Sequence, residues 1–231
     1  MKVCVISDIH GNYDALKACI EEAKKLNVEK FFCLGDYVGY YYEPDKCIDL
    51  LISLKAICIR GNHEKILLNL IKNKKKLEYF ISKYGNGIKI ALKKLKKKHI
   101  NFIKKLPNTK RIIINKKKIL LCHGSPWKNN EYIYPNKFYK FKTKLDQYNF
   151  DNILLGHTHI QMKKKISSKL ILNPGSIGQP RDGEGLIKWL IIDYSTMRYE
   201  FKKTFFDNSR ITRQVMTYDK NKKNLLKYFS K

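Results

Sequence analysis

Short apolar runs that stop abruptly at glycine, acid or histidine recur along this chain, and early on they alternate with stretches of helical period. Residues 2–7, KVCVIS, have β character and run into Asp8, Ile9, His10, Gly11 and Asn12. Asp8 and His10 alternate by two, so in extended backbone their side chains leave on one side. Asn12 then caps a helix that ends at Leu26, with Leu16, Cys19, Ile20 and Ala23 on its buried stripe. A second strand over 30–34 ends in Gly35 and Asp36, and a second helix begins at Pro44 with Cys47, Ile48, Leu51 and Leu54 inward. A third strand over 56–60 delivers Gly61, Asn62, His63 and Glu64.

The pattern changes after residue 65. Helical character persists to Leu106, broken at Tyr84-Gly85-Asn86-Gly87, and His99 falls on an apolar flank, where it reads as structural. This segment serves either as a surface insertion or as a cap over a site. Beyond Pro107 a hairpin is predicted from strands over 110–114 and 118–122, the second running into His123-Gly124. An aromatic loop over 127–135 and a short helix over 137–147 follow. A strand over 152–155 then ends in Gly156-His157-Thr158-His159, and residues 170–172 lead into the turn Asn173-Pro174-Gly175-Ser176. A second hairpin is expected over 186–205, with a lysine-rich helix to finish. No repeat or linker divides the chain, so residues 1–231 are expected to form one domain with a helical insertion at about 65–106.

Composition adds little to the fold but bounds the setting. A chain of 231 residues can bury a core without disulfides, and its six cysteines form no CxxC pair, which suits buried thiols in a reducing compartment. No apolar run approaches the roughly 18 residues of a membrane span, and the N-terminus meets charge and glycine too early for a signal peptide. A cytoplasmic protein with no membrane contact is expected. The formal net charge is +28. Because lysines occur throughout, among many Asn, Ile and Tyr residues, the charge reads first as composition, second as attraction of anionic substrates, and third as a nucleic-acid surface.

Five strand ends therefore deliver Asp8 and His10, Asp36, Asn62 and His63, His123, and His157 and His159. Singly, each is more simply a turn. Together they place five of the six histidines at glycine-bordered strand ends. In an open α/β sheet ligands sit at such ends, and carboxylate, imidazole and amide oxygen together suit Mn, Fe, Zn, Co or Ni better than Ca or Mg.

The ordered blocks Asp8-x-His10, Gly35-Asp36, Gly61-Asn62-His63-Glu64, His123-Gly124 and Gly156-His157-x-His159 resemble the calcineurin-like metallophosphoesterase superfamily, up to about residue 193. The segment NPGSIGQPRDG, residues 173–183, looks like its small prokaryotic phosphodiesterase branch. The resemblance implies an α/β fold (α+β in some schemes), a four-layer αββα sandwich of two mixed sheets flanked by helices. It also implies two divalent transition-metal ions, manganese first, with Fe, Zn, Ni or Co as alternatives. Asp8, His10, Asp36 and His159 would hold one ion, and Asp36, Asn62, His123 and His157 the other. His63 would stay outside the ligand set as the catalytic residue, giving a proton to the leaving oxygen or a hydrogen bond to the phosphoryl group.

The implied activity is hydrolysis of a small-molecule or nucleotide phosphodiester by a hydroxide bridging the ions. A dinucleoside polyphosphate hydrolase is the alternative, then a nuclease, while a non-enzymatic scaffold would need a degraded site. The expected partner is a small anionic phosphoester, with nucleic acid not favoured. Two positions depart from the family pattern. Tyr41 and Tyr42 follow Gly39-Tyr40 where relatives often have Gly-Tyr-Gly, so the rim rings either stack on a base or pack. Glu64 stands where many relatives carry Asp.

Overall fold

The computed structural model describes residues 1–229. Ten strands form two five-stranded mixed sheets among the described residues. The first is built from β1 (Lys2–Ile6), β2 (Lys30–Cys33), β3 (Ile57–Cys58), β9 (Ile187–Asp193) and β10 (Arg198–Thr204), in the order β10-β9-β1-β2-β3. Its first three strands run parallel, and β9 closes antiparallel on β1 with Val3 opposite Ile192. The second comprises β4 (Thr109–Ile114), β5 (Lys117–Cys122), β6 (Asn152–Leu154), β7 (Gln161–Ile166) and β8 (Lys169–Pro174), in the order β4-β5-β6-β8-β7.

Alternation along the strands builds the layers. Val3, Val5, Phe32, Leu34, Leu121, Leu154, Leu172 and Leu190 pack between the sheets. Their neighbours Cys4, Ile6, Cys33 and Trp189 turn outward, under α1 (Tyr13–Lys25), α2 (Pro44–Ser53), α3 (Asn62–Lys72), α4 (Leu77–Tyr84), α5 (Gly87–Lys94), α6 (Lys97–Lys105) and α8 (Ser209–Tyr218). On the far side, Leu120, Cys122, Ile153 and Ile171 meet Phe138 and Leu145, the latter on α7 (Lys142–Asp146). This is the expected α/β sandwich of two mixed sheets between helices. All six cysteines are buried free thiols, and no helix among the described residues is long and apolar enough to cross a membrane.

Several elements differ from the sequence reading. Asn62 and His63 are the first two residues of α3, not the end of a strand, because β3 is only two residues long and Arg60 N–H turns away to the Pro107 carbonyl at 2.8 Å. The helical segment breaks at Asn73 and Leu95 as well as at Gly85. Residues 135–141 are 3₁₀ rather than α-helical. Strand β7 was not expected from QMKKKI, since an edge strand with its lysines in solvent hides its alternation. Helix α8 precedes the lysine-rich tail, where a short 3₁₀ turn forms among the described residues, and residues 230–231 lie outside the described part. His99 is buried as anticipated, its Nδ1 accepting from Lys96 N–H at 3.1 Å and its Nε2 facing Asp49 at 3.1 Å.

Candidate metal centre

The loop after β1 and the loop after β2 are stitched together by backbone bonds: Asp8 N–H to Gly35 O, His10 N–H to Asp36 O, and Gly11 N–H to Tyr37 O, at 2.8–3.1 Å. The loop after β6 joins them through His157 N–H, which donates to Asp8 Oδ2 at 2.9 Å. Asp8, His10, Asp36, His157 and His159 all carry positive φ, from 52° to 66°. The extended backbone expected for Asp8 and His10 is therefore absent; their convergence comes from left-handed turns. Such backbone is unfavourable for non-glycine residues and persists where surrounding contacts enforce it.

Three imidazoles are oriented alike. Nδ1 of His10, His123 and His159 faces the carbonyls of Val38, Leu34 and Gln179 at 3.0, 2.7 and 2.7 Å. Each carbonyl requires an N–H on Nδ1, which turns Nε2 toward the centre. There His159 Nε2 lies 3.3 Å from Asp8 Oδ1 and 3.2 Å from His10 Nε2, and His123 Nε2 lies 3.2 Å from Asp36 Oδ2 and 3.0 Å from Asn62 Oδ1. Asp8, His10 and His159 form one metal-competent group and Asp36, His123 and His157 another, with His10, Asp36 and His63 as a third between them. The structure thus gathers all eight residues singled out in the sequence. Asn62 is half-buried and the other seven are buried.

Several observations fit this set to cations. Asp8 Oδ1 and His157 Nε2 are buried with no hydrogen-bond partner, which is costly unless something else satisfies them. Burial opposes ionisation of Asp8, but His159 and His123 outweigh it and hold its carboxyl well below the usual range. Burial likewise opposes ionisation of Asp36, and His123 and His63 overcome it. Burial depresses His10 and His157, the latter to about 3 with His123 contributing. Against its burial, His123 is raised to about 9 by Asp36. The neutral imidazoles have lone pairs available, and on His123 a proton holds a place that a metal ion can take.

Glu64 and two glycines secure the middle of the site. Glu64 accepts from Asp36 N–H, Tyr37 N–H, Val38 N–H and Gly61 N–H at 2.7–3.2 Å. Burial and Asp36 push its carboxyl up to about 7, while the Gly61 and Asp36 N–H groups pull it down. A Cβ on Gly61 would lie 2.1 Å from Asp36 Oδ1, and one on Gly39, whose φ is +131°, would lie 2.5 Å from His63 Nδ1. The close approach of these side chains therefore depends on both glycines.

Residues 173–181 have roles that the sequence left open. Asn173 Nδ2 donates to Gly156 O at 2.7 Å, Ser176 Oγ to Asp8 O at 2.8 Å, and Gln179 supplies the carbonyl that orients His159. Tyr41 and Tyr42 turn inward and are fully buried, so only Tyr40 of the rim remains at the site, its ring 4.7 Å from His10. Tyr84, Tyr132 and Arg181 were not anticipated. They come from separate segments and carry no shared spacing by which the sequence could have flagged them.

A calcineurin-like phosphoesterase superfamily domain model matches residues 1–197. An uncharacterized protein of Methanocaldococcus jannaschii is 32% identical over 93% of this chain and 91% of its own. Among solved structures, a metallophosphoesterase from Sphaerobacter thermophilus is similar, with TM-score 0.80 and 25% identity over 99% of this chain and 98% of that one. A hypothetical protein from Pyrococcus horikoshii OT3 shares the fold, with TM-score 0.86 and 21% identity over 99% and 97%.

Proposed function

Because the chain belongs to the calcineurin-like phosphoesterase superfamily, we propose that it is a phosphodiesterase dependent on two divalent transition-metal ions. Asp8, His10, Asp36 and His159 hold one ion, Asp36, Asn62, His123 and His157 the other, and manganese is the first metal to test. The observation that carries this reading is the pair of buried, unpartnered side-chain atoms, Asp8 Oδ1 and His157 Nε2, one in each of two metal-competent groups. Bound there, such ions neutralise phosphoryl oxygens and make hydroxide available near neutral pH.

The chain's own residues set the rest of the chemistry. His63 backbone N–H donates to Asp36 Oδ1 at 2.9 Å, which fixes the start of α3 against the Asp36 carboxylate. Its ring stands 4.8 Å from that of His10, and the residue is 4% exposed, so the ring would meet a phosphate held at the centre without facing bulk water. Burial lowers its pKa, and as a neutral ring it still offers an N–H to a phosphoryl or leaving oxygen. A polyphosphate substrate is the second reading, favoured by the +28 charge, which draws multiply charged anions.

A metal-reconstituted rate panel tests the proposal: bis-p-nitrophenyl phosphate, p-nitrophenyl phosphate, a diadenosine polyphosphate and single-stranded DNA. Fastest turnover of the diester is expected. Hydrolysis of the monoester alone, or of none, would contradict it.

A further inference from the structure

We propose that Arg181 and Tyr132 form a nucleotide clamp at the mouth of the centre, Arg181 holding a phosphate oxygen and Tyr132, with Tyr134 beside it, stacking on a base. This rests on the phosphoesterase reading and narrows its substrates to phosphodiesters that carry a nucleoside.

Four side chains from four segments converge over the histidines. Tyr40 follows β2, Tyr84 ends α4, Tyr132 lies in the loop after β5, and Arg181 follows β8. The Tyr84 and Tyr40 rings stand 4.7 and 5.4 Å from His63 and 5.4 Å from each other. They close that side, which explains why His63 is nearly inaccessible. Tyr132 has its ring 4.0 Å from His157, yet is 44% exposed, and runs parallel to Tyr134 at 5.5 Å with 3° between planes. A partly exposed, paired aromatic surface therefore stands beside His157, which suits the flat face of a base.

Arg181 supplies the anion site. Its Nη2 donates to Tyr40 Oη at 3.1 Å and to Gln179 Oε1 at 2.8 Å, and its Nε reaches the same Gln179 oxygen at 3.3 Å. It also faces Tyr132, whose phenol it favours in the ionised form against the opposing effect of burial. None of these hydrogen-bond partners is a carboxylate, and Asp8, the acid that favours its charge, forms no ion pair with it, so a half-buried guanidinium stands beside the centre without a direct counter-ion. A bound anion would compensate it, and its planar fork fits phosphate oxygens. Gln179 also orients His159 through its carbonyl, which keeps Arg181 in fixed register with the metal-competent groups.

Calorimetric titration of the manganese-loaded protein with AMP and with ribose 5-phosphate tests the clamp. AMP should bind about tenfold more tightly, the usual worth of one base stacked on an aromatic ring. Tyr132→Leu should erase that advantage and Tyr132→Phe should keep it. Arg181→Ala should weaken both ligands by about tenfold or more, with Arg181→Lys intermediate, serving also if the alanine variant does not fold. In turnover, Tyr132→Leu should raise KM for thymidine 5′-(p-nitrophenyl phosphate) and leave that for methyl p-nitrophenyl phosphate unchanged. Equal affinity for the two ligands, or an AMP advantage that survives Tyr132→Leu, overturns the clamp. If bis-p-nitrophenyl phosphate is still hydrolysed in that case, the phosphoesterase reading stands, whereas absence of hydrolysis of every diester removes the reading on which the clamp rests.

Discussion

At the scale of single residues, backbone carbonyls decide which imidazole nitrogens face the centre, and Gly61 decides whether Asp36 can sit between them. Gly61→Ala would drive a methyl into Asp36 Oδ1 and into its amide nitrogen, 2.5 Å away. The variant is expected to lose most bound metal and about 10²-fold or more in kcat, the effect that displacing Asp36 from its proposed bridging position would have. Metal analysis and steady-state rates check this. His63→Gln should keep the metal and lose about 10²-fold in kcat. If His63 protonates the leaving oxygen, the loss grows with leaving-group pKa; a uniform loss across a series of esters would assign it to phosphoryl-oxygen binding. The residues that the structure gathers were legible because glycine-bordered Asp and His residues recur. Their left-handed backbone was not, since a strand-end motif reads the same whether Asp8 and His10 continue the strand or turn sharply.

At the scale of elements, α8 and the turn after it act as a strap. Buried Asp219 accepts from Tyr42 Oη at 2.8 Å and from Asn86 N–H at 2.8 Å, joining the loop after β2 to the start of α5. Tyr41 Oη donates to Leu225 O at 2.9 Å, and Arg210 pairs with Glu43 and Asp14. Asp219→Ala strands two donors, each worth about 1–3 kcal/mol when buried and unpaired. Urea denaturation should show a loss of about 2 kcal/mol or more, with smaller loss for Asp219→Asn. No change would mean that water replaces the carboxylate. This strap was not legible, because its contacts join residues more than 130 positions apart and no local pattern announces them. The hairpins of β4 with β5 and of β9 with β10 were legible, as each is set by its own alternation and turn, with Asn115 and Lys116 both at positive φ in the first.

At the scale of the whole molecule, charge and metal have separable effects. If +28 reflects composition, duplex DNA should bind weakly, without sequence preference, and release steeply as salt rises in a mobility-shift series. Tight binding at high salt would restore a nucleic-acid surface. Metal bound only by the folded chain stabilises it, by about 2.7 kcal/mol at a hundredfold excess over Kd. Removing it with a chelator should lower Tm by roughly 5–10 °C for a chain of this size. Whether Asp36 joins two metal sites is decided by metal stoichiometry, measured by mass spectrometry on the manganese-reconstituted protein and on Asp36→Asn. Two ions per chain in the wild type and fewer than one in the variant are predicted, whereas a single ion in the wild type, or two retained in Asp36→Asn, would contradict it.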